Sequence, residues 1–422
     1  MPLNNIAFDW SETTNTQKEQ TSTINQLEEE IDKLKEAKKQ EYDTPYASIN
    51  LVDDKDQVKK VKALVKKYSD INTLIVVGIG GSNLGAKAVY EATKGLLANE
   101  KEKKRVYWAD TTSPQNIQDI ISLTKKEKTL INVISKSGTT TESIANLGVL
   151  QEALPKTELV VTTDQESKLF THAYEKGYDI LTIPQRVGGR YSALSAVGLF
   201  PLAFLGVKID DLVKGALDAQ ESCLKQGLTN PAARSAATHY LHYKRGRVIT
   251  NLFLFSPQLE SLGKWYRQLT AESLGKEHNL KGSVVNHGLT PIVSIGSTDL
   301  HSMAQLYLGG PDDTLTTFVT IKEDNNTRTP SNKELDKLVP NIKGKKLSAI
   351  MQAIVGGVLQ AYKNKKRPYI HVTLKEHAEY DIGQFLQIKM IETMLLASLL
   401  QLDPFDQPAV EEYKKETKRL LE

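Results

Sequence analysis

The chain has 422 residues, 40% of them hydrophobic and 25% charged, with a formal charge of +3 and a single cysteine, Cys223. That length favours two domains with ample core. So small a charge, with Lys and Glu intermixed and no basic stripe, argues against a nucleic-acid partner. One cysteine cannot make an internal disulfide, which suits a reducing compartment. The opening MPLNNIAFDW lacks a basic region followed by an apolar run, so no secretory signal is expected and the expected location is cytoplasmic. The most apolar helix-like run, 391–402, is too short for a membrane span, and no membrane partner is expected.

In chain order, Ile24, Leu27, Ile31 and Leu34 fall on one helical face, and residues 1–45 are expected to form an N-terminal helical extension. Short runs rich in Ile and Val follow at 73–77, 106–109, 130–134 and 159–162, separated by helix-like segments. Such alternation predicts a parallel sheet covered on both faces, here a first α/β domain over 46–208. Residues 209–235 read as a linking helix. A second series, with strands at 248–255, 316–321 and 369–374, predicts a second α/β domain over 236–375. The last stretch, 376–422, reads as helices broken by Asp403-Pro404 and Gln407-Pro408. The fold class expected is therefore α/β: two doubly wound parallel-sheet domains of αβα type with helical extensions at both ends. The two series are compatible with a diverged repeat of one unit.

Two loops carry anion-binding chemistry. The first strand runs into Gly78-Ile79-Gly80-Gly81-Ser82-Asn83-Leu84-Gly85. Glycines let a backbone approach a ligand closely, and helix N-terminal amides face it. The expected ligand is a small phosphate at Gly81 and Ser82, although a tight turn without a ligand would also use these glycines. A dinucleotide site would want an acidic residue about 20 positions on; Asp110 stands 30 positions beyond Gly80, a poor match. The strand 130–134 runs into Ser135-Lys136-Ser137-Gly138-Thr139-Thr140-Thr141-Glu142. A helix cap needs one hydroxyl, whereas a phosphate dianion needs several donors. Ser135, Lys136, Ser137, Thr139 and Thr140 at a strand's carboxyl end therefore predict a phosphate site.

These two motifs together resemble sugar-isomerase (SIS) domains, which bind phosphosugars on a parallel α/β fold. Further segments narrow the likeness: Gly188-Gly189-Arg190-Tyr191-Ser192, the run Gln268-Leu269-Thr270-Ala271-Glu272-Ser273-Leu274-Gly275-Lys276, Ser297-Thr298-Asp299-Leu300-His301-Ser302, and Phe405-Asp406-Gln407-Pro408-Ala409-Val410-Glu411-Glu412-Tyr413-Lys414. From about residue 70 to the C-terminus the chain resembles the glucose-6-phosphate isomerase family in its compact bacterial form. One departure is the stretch 277–294, longer than that form leads one to expect.

The resemblance implies reversible isomerisation of glucose 6-phosphate to fructose 6-phosphate, an aldose–ketose step of glycolysis and gluconeogenesis. Such a reaction moves a proton between adjacent carbons and needs a base, a group that stabilises the enediolate, and acid–base help for ring opening. By the same likeness Glu272 carries the proton, Arg190 stabilises the enediolate, His301 opens the ring and Lys414 is catalytic. Gly189, Gln268 and Gln407 meet the sugar, and Glu142 orders the phosphate loop. The plainer alternatives are a solvated helix glutamate, a structural ion pair at Arg190, a surface histidine, and a solvated lysine face with Lys415 and Lys418. No metal and no cofactor is expected. A homodimer with shared sites is, His301 serving the neighbour's Glu272. Competing readings are a bifunctional glucose/mannose-6-phosphate isomerase, a non-catalytic phosphosugar sensor, which would need no Glu272, Arg190 or His301, and a hexosamine-forming amidotransferase. The last needs an N-terminal cysteine nucleophile where this chain has Pro2.

Overall fold

The computed structural model describes residues 3, 5–322, 328–332 and 334–422. Its strands are β1 (Ile6–Asp9), β2 (Thr73–Val77), β3 (Arg105–Ala109), β4 (Thr129–Ile134), β5 (Glu158–Thr163), β6 (Asp179–Thr182), β7 (Ile249–Leu254), β8 (Lys276–His278), β9 (Val284–His287), β10 (Thr290–Ile295), β11 (Thr314–Ile321) and β12 (Tyr369–Leu374).

The first sheet runs β3-β2-β4-β5-β6 and is parallel throughout. Every residue of β2 (TLIVV) and β4 (TLINVI) is buried, as a strand with helices on both faces requires. From β2 the chain steps to β3 on one side, then crosses to β4 on the other. The order therefore reverses between β2 and β4, where open α/β sheets leave a crevice at the strands' carboxyl ends. The second sheet, β1-β12-β11-β7-β10, repeats that sequence of steps from β7 through β10, β11 and β12, all parallel. The same order of steps thus recurs in both sheets.

Three elements differ from the sequence reading. Residues 6–9, expected within a helical extension, form β1, which pairs antiparallel with β12 (Ile6 opposite Leu374, Asp9 opposite His371). Its side chains alternate, Ile6 buried and Ala7 exposed, and Phe8 stacks on Trp10 with ring centroids 5.2 Å apart. The helices Gln17–Asn25 and Glu28–Ala37 follow it. The short strand β6 closes the first sheet. The stretch 277–294 is no simple insert: it holds most of the β8–β9 hairpin and most of β10, an integral strand of the second sheet.

The helix Glu379–Leu399 is buried continuously from 381 to 397, and the charges it carries inward are paired, Lys389 donating to Glu392 at 2.7 Å. It packs on the helix Ile209–Cys223 at two glycines. A Cβ on Gly215 would lie 2.0 Å from the Tyr380 carbonyl oxygen, and one on Gly383 would lie 2.0 Å from that of Leu212. Only glycine allows this backbone-to-backbone approach. One apolar core contains Leu74 and Val76 of the first sheet, Leu252 and Leu254 of the second, and Leu212 and Ile388 of these helices. The linking and C-terminal segments are therefore central packing elements. Among the described residues no helix is long and apolar enough to cross a membrane.

Candidate functional site

The glycine-rich loop and the turn carrying Arg190 meet as bare backbone. A Cβ on Gly81 would lie 2.2 Å from the carbonyl carbon of Gly189. The Ser192 hydroxyl donates to the carbonyls of Gly81 (3.2 Å) and Gly189 (2.7 Å), fixing the contact. Gly81 is thus required by packing that delivers Arg190 beside the β2 loop, where Ser82 ends a short helical turn, whereas a Cβ on Gly189 would make only ordinary contact, 3.6 Å from the Gly81 Cα. Asp110, 30 positions beyond Gly80, accepts from the Asn83 amide of this same loop (3.3 Å).

Across the crevice, the loop after β4 gathers hydroxyls. The Ser135 and Thr140 hydroxyls are 2.9 Å apart, Thr140 and Ser137 3.5 Å, and Thr139 donates through its hydroxyl to Ser137 at 3.4 Å. The loop is anchored from below by the Thr163 hydroxyl, which donates to the Ser135 carbonyl at 2.6 Å. Thr140 holds the N-cap position of the helix Thr141–Ala153 yet makes no side-chain cap. Its hydroxyl points to the cluster, so the first-turn amides stay open to an anion. Burial pushes the Lys136 ammonium below its usual value, with Asp164 opposing the shift. Glu142 stands in the helix's first turn, where a carboxylate suits the dipole; among the described residues no hydrogen bond ties it to the hydroxyls. Replacing Ser137 and Thr140 together by Ala is expected to raise KM and weaken inhibition by inorganic phosphate, each lost bond to a charged group being worth about 1.5–3 kcal/mol. Unchanged phosphate inhibition would move the phosphate elsewhere.

Glu272 lies near the end of the helix Glu260–Leu274, one turn beyond Gln268 on the same face. Its carboxylate accepts from Gln268 Nε2 at 2.9 Å and from Arg190 Nη1 at 3.3 Å, and its side chain stays 30% exposed. A Cβ on Gly80 would come within 3.0 Å of Gln268 Nε2, so the glycine loop abuts this pair. Gln268 Oε1 is buried without a partner. An orphan acceptor costs about 1–3 kcal/mol, and a ligand hydroxyl would relieve it.

Arg190 is 2% exposed and uses its whole donor fork. Nε donates to the Ser273 hydroxyl (2.8 Å), Nη1 to Glu272 and Gln407 Oε1 (2.8 Å), and Nη2 to the carbonyls of Pro404 (2.6 Å) and Asp406 (3.1 Å). The guanidinium thus ties together three of the sequence motifs. His301 follows the carboxyl end of β10 on an exposed turn braced by Asp299, whose carboxylate accepts from the Ile295 amide (2.7 Å) and the Ser302 hydroxyl (2.8 Å). No hydrogen bond joins His301 to Glu272 of its own chain among the described residues. Lys414 sits on the exposed helix Val410–Leu421 and pairs with Glu411 at 2.7 Å. Arg190, Glu272, Gln268 and Gln407 are therefore brought together, while His301 and Lys414 lie outside this hydrogen-bonded set. Ser273 and Lys276, inside a motif already quoted, had no role assigned from sequence; their partners sit far along the chain. A second groove, lined in part by Tyr42, Asp54, Asp164 and Gln185, contains none of these residues.

The phosphoglucose isomerase family model matches residues 50–422. The chain belongs to the phosphoglucose isomerase family. It is 36% identical over 366 residues to glucose-6-phosphate isomerase of Carboxydothermus hydrogenoformans, covering 82% of this chain and 78% of that one. It is 33% identical to a probable glucose-6-phosphate isomerase of Methanococcus maripaludis, with 85% and 81% covered. Among solved structures, a hypothetical protein from Thermus thermophilus superposes with a TM-score of 0.90 at 30% identity, covering 99% of each chain. The glucose-6-phosphate isomerase of Chlamydia trachomatis shares the fold, with a TM-score of 0.85 at 19% identity over 99% of this chain and 88% of that one. The phosphoglucose isomerase match spans both sheets and every loop of the site; only the segment through residue 49, with β1, falls outside it.

Proposed function

We propose that this chain interconverts glucose 6-phosphate and fructose 6-phosphate as an aldose–ketose isomerase, by ring opening and proton transfer through an enediolate. The observation that carries this reading is the Glu272 carboxylate, part-exposed and held between Gln268 and Arg190, with the glycine loop that abuts Gln268 adjoining the end of β4, from which the converging hydroxyls follow. In this reading the phosphate sits on Ser135, Lys136, Ser137, Thr139 and Thr140 with Ser82 and Gly81 opposite, and Glu142 steadies that loop from the helix's first turn. The sugar hydroxyls meet Gln268 and Gln407, close to Gly189. Glu272 carries the proton between the two carbons. Arg190 fixes that carboxylate and lowers the cost of charge on the enediolate from behind it. Lys414 acts once the terminal helix is drawn toward the site.

The enzyme is a homodimer in this reading, with His301 completing the neighbour's site; the exposed His301 turn suits such sharing. It works in the cytoplasm, in glycolysis and gluconeogenesis. An assay of the EDTA-treated protein with glucose 6-phosphate or mannose 6-phosphate, reading fructose 6-phosphate formed, tests the substrate. The glucose ester should turn over at the rate seen without EDTA. Comparable kcat/KM for the mannose ester would favour the bifunctional isomerase, and binding without turnover would favour a sensor.

A further inference from the structure

Lys276 lies just past the proton carrier's helix, at the start of β8, and its side chain is 5% exposed. A lysine so buried is rare unless it is paired. Its ammonium donates to Asp406 Oδ1 at 2.6 Å and to the Asp406 backbone carbonyl. That same carbonyl accepts from Arg190 Nη2, and Arg190 also holds the Pro404 carbonyl and the Gln407 amide oxygen. Two buried cations from different parts of the chain therefore grip one four-residue loop, 404–407. Between them Phe405 wedges against Tyr46 (ring centroids 5.1 Å apart, edge-on) and Tyr191 (5.7 Å). The Asp406 carboxylate itself is half exposed, so the Lys276 ammonium is the deeply buried end of the pair. A buried cation spent on a loop's main chain fixes that loop's height above the site, because the ammonium cannot lose its partner without being stranded.

We propose that Lys276 is a positioning residue for the isomerisation: with Arg190 it latches the 404–407 loop, which sets Gln407 and the guanidinium fork against Glu272 and fixes where the terminal helix begins. This rests on the reading of Glu272 as the proton carrier. Among the described residues no hydrogen bond joins Lys276 to Glu272 or to the hydroxyl loop, so its effect reaches chemistry only through the 404–407 loop. When the latch is lost, Gln407 leaves Nη1 and the Glu272 carboxylate loses its fixed angle, while the phosphate loops, on the first sheet, stay as they were.

The test measures kcat and KM with fructose 6-phosphate, and inhibition by inorganic phosphate, for Lys276→Met, Lys276→Arg and Asp406→Asn. Lys276→Met is expected to lose kcat by on the order of 10- to 100-fold, the effect of misplacing a reacting group by about 1 Å, with phosphate inhibition within about twofold of wild type. Lys276→Arg, which keeps the charge and offers charged donors to the same oxygens, should recover part of that loss. Asp406→Asn keeps the carbonyl bond and should fall between them. Wild-type kcat in Lys276→Met, or an Arg variant no better than Met, overturns the latch. Should Lys276→Met fail to fold by circular dichroism, Asp406→Asn decides, with reduced kcat supporting the latch and wild-type kcat overturning it. Wild-type protein that does not isomerise at all overturns the reading of the site itself, a result distinct from an active wild type beside an unaffected Lys276→Met.

Discussion

Glu272→Gln is expected to lower kcat by roughly 10²–10⁴-fold, the usual share of a positioned base. Glutamine has the same shape and can still accept one hydrogen bond from Gln268 or Arg190, so the 260–274 helix should keep its place. What it cannot do is take a proton from a carbon acid. Its amide also turns a donor toward groups that are themselves donors, Gln268 Nε2 and Arg190 Nη1. KM should move little, because in the proposed site the β2 and β4 loops hold the phosphate and Glu272 does not. The expected pattern is therefore a kcat defect with near-normal saturation, the mark of an interaction used chiefly in the transition state. A variant that kept more than half of wild-type kcat would remove Glu272 from the chemistry.

The second large effect is a gain. Glu272→Gln and His301→Ala should each be almost inactive alone, yet activity should appear when the two are mixed and allowed to exchange subunits. If each site takes Glu272 from one protomer and His301 from the other, a mixed twofold dimer has one site with both lesions and one with neither. Random exchange makes about half of the dimers mixed, so about a quarter of wild-type activity should return. The placement of His301 motivates this: it stands on an exposed turn with no hydrogen bond to Glu272 of its own chain among the described residues. A tag on one variant establishes that mixed dimers form. No rescue in proven mixed dimers would assign His301 to its own chain's site and refute the shared site.

The fold was legible where strands are buried on both faces, since β2 and β4 read as unbroken apolar runs. It was not legible at the edges. β10 is half exposed and begins Thr290-Pro291, a proline tolerated on an edge strand but suggestive of a loop. β1 has four residues, too few for a period to show, and its strand character comes from pairing with β12, over 350 positions away. The helix Glu379–Leu399 resembled a tail segment, yet Gly383 presses it against the helix that carries Gly215, at the centre of the molecule. At the site, Arg190, Glu272 and Gln268 could be singled out only through the resemblance of their motifs to the family's. The Pro404 and Asp406 carbonyls that fill the Arg190 fork could not be foreseen, because backbone acceptors carry no signature of residue type. The same holds for the bare contact of Gly81 with Gly189, which looks in sequence like two unrelated turns.

Hydrogen exchange during turnover tests the central claim most directly. Fructose 6-phosphate is incubated with the protein in deuterium oxide and the glucose 6-phosphate formed is examined by NMR at C2. A carboxylate that removes a proton from one carbon and returns it to the next exchanges with solvent while it holds that proton. Part of the product should therefore carry deuterium at C2, and the Glu272→Gln variant should make neither isomer nor label at a comparable rate. Failure of the wild-type protein to form glucose 6-phosphate would contradict the account, and so would full turnover with all of the hydrogen retained under every condition of temperature and substrate, the mark of a hydride shift.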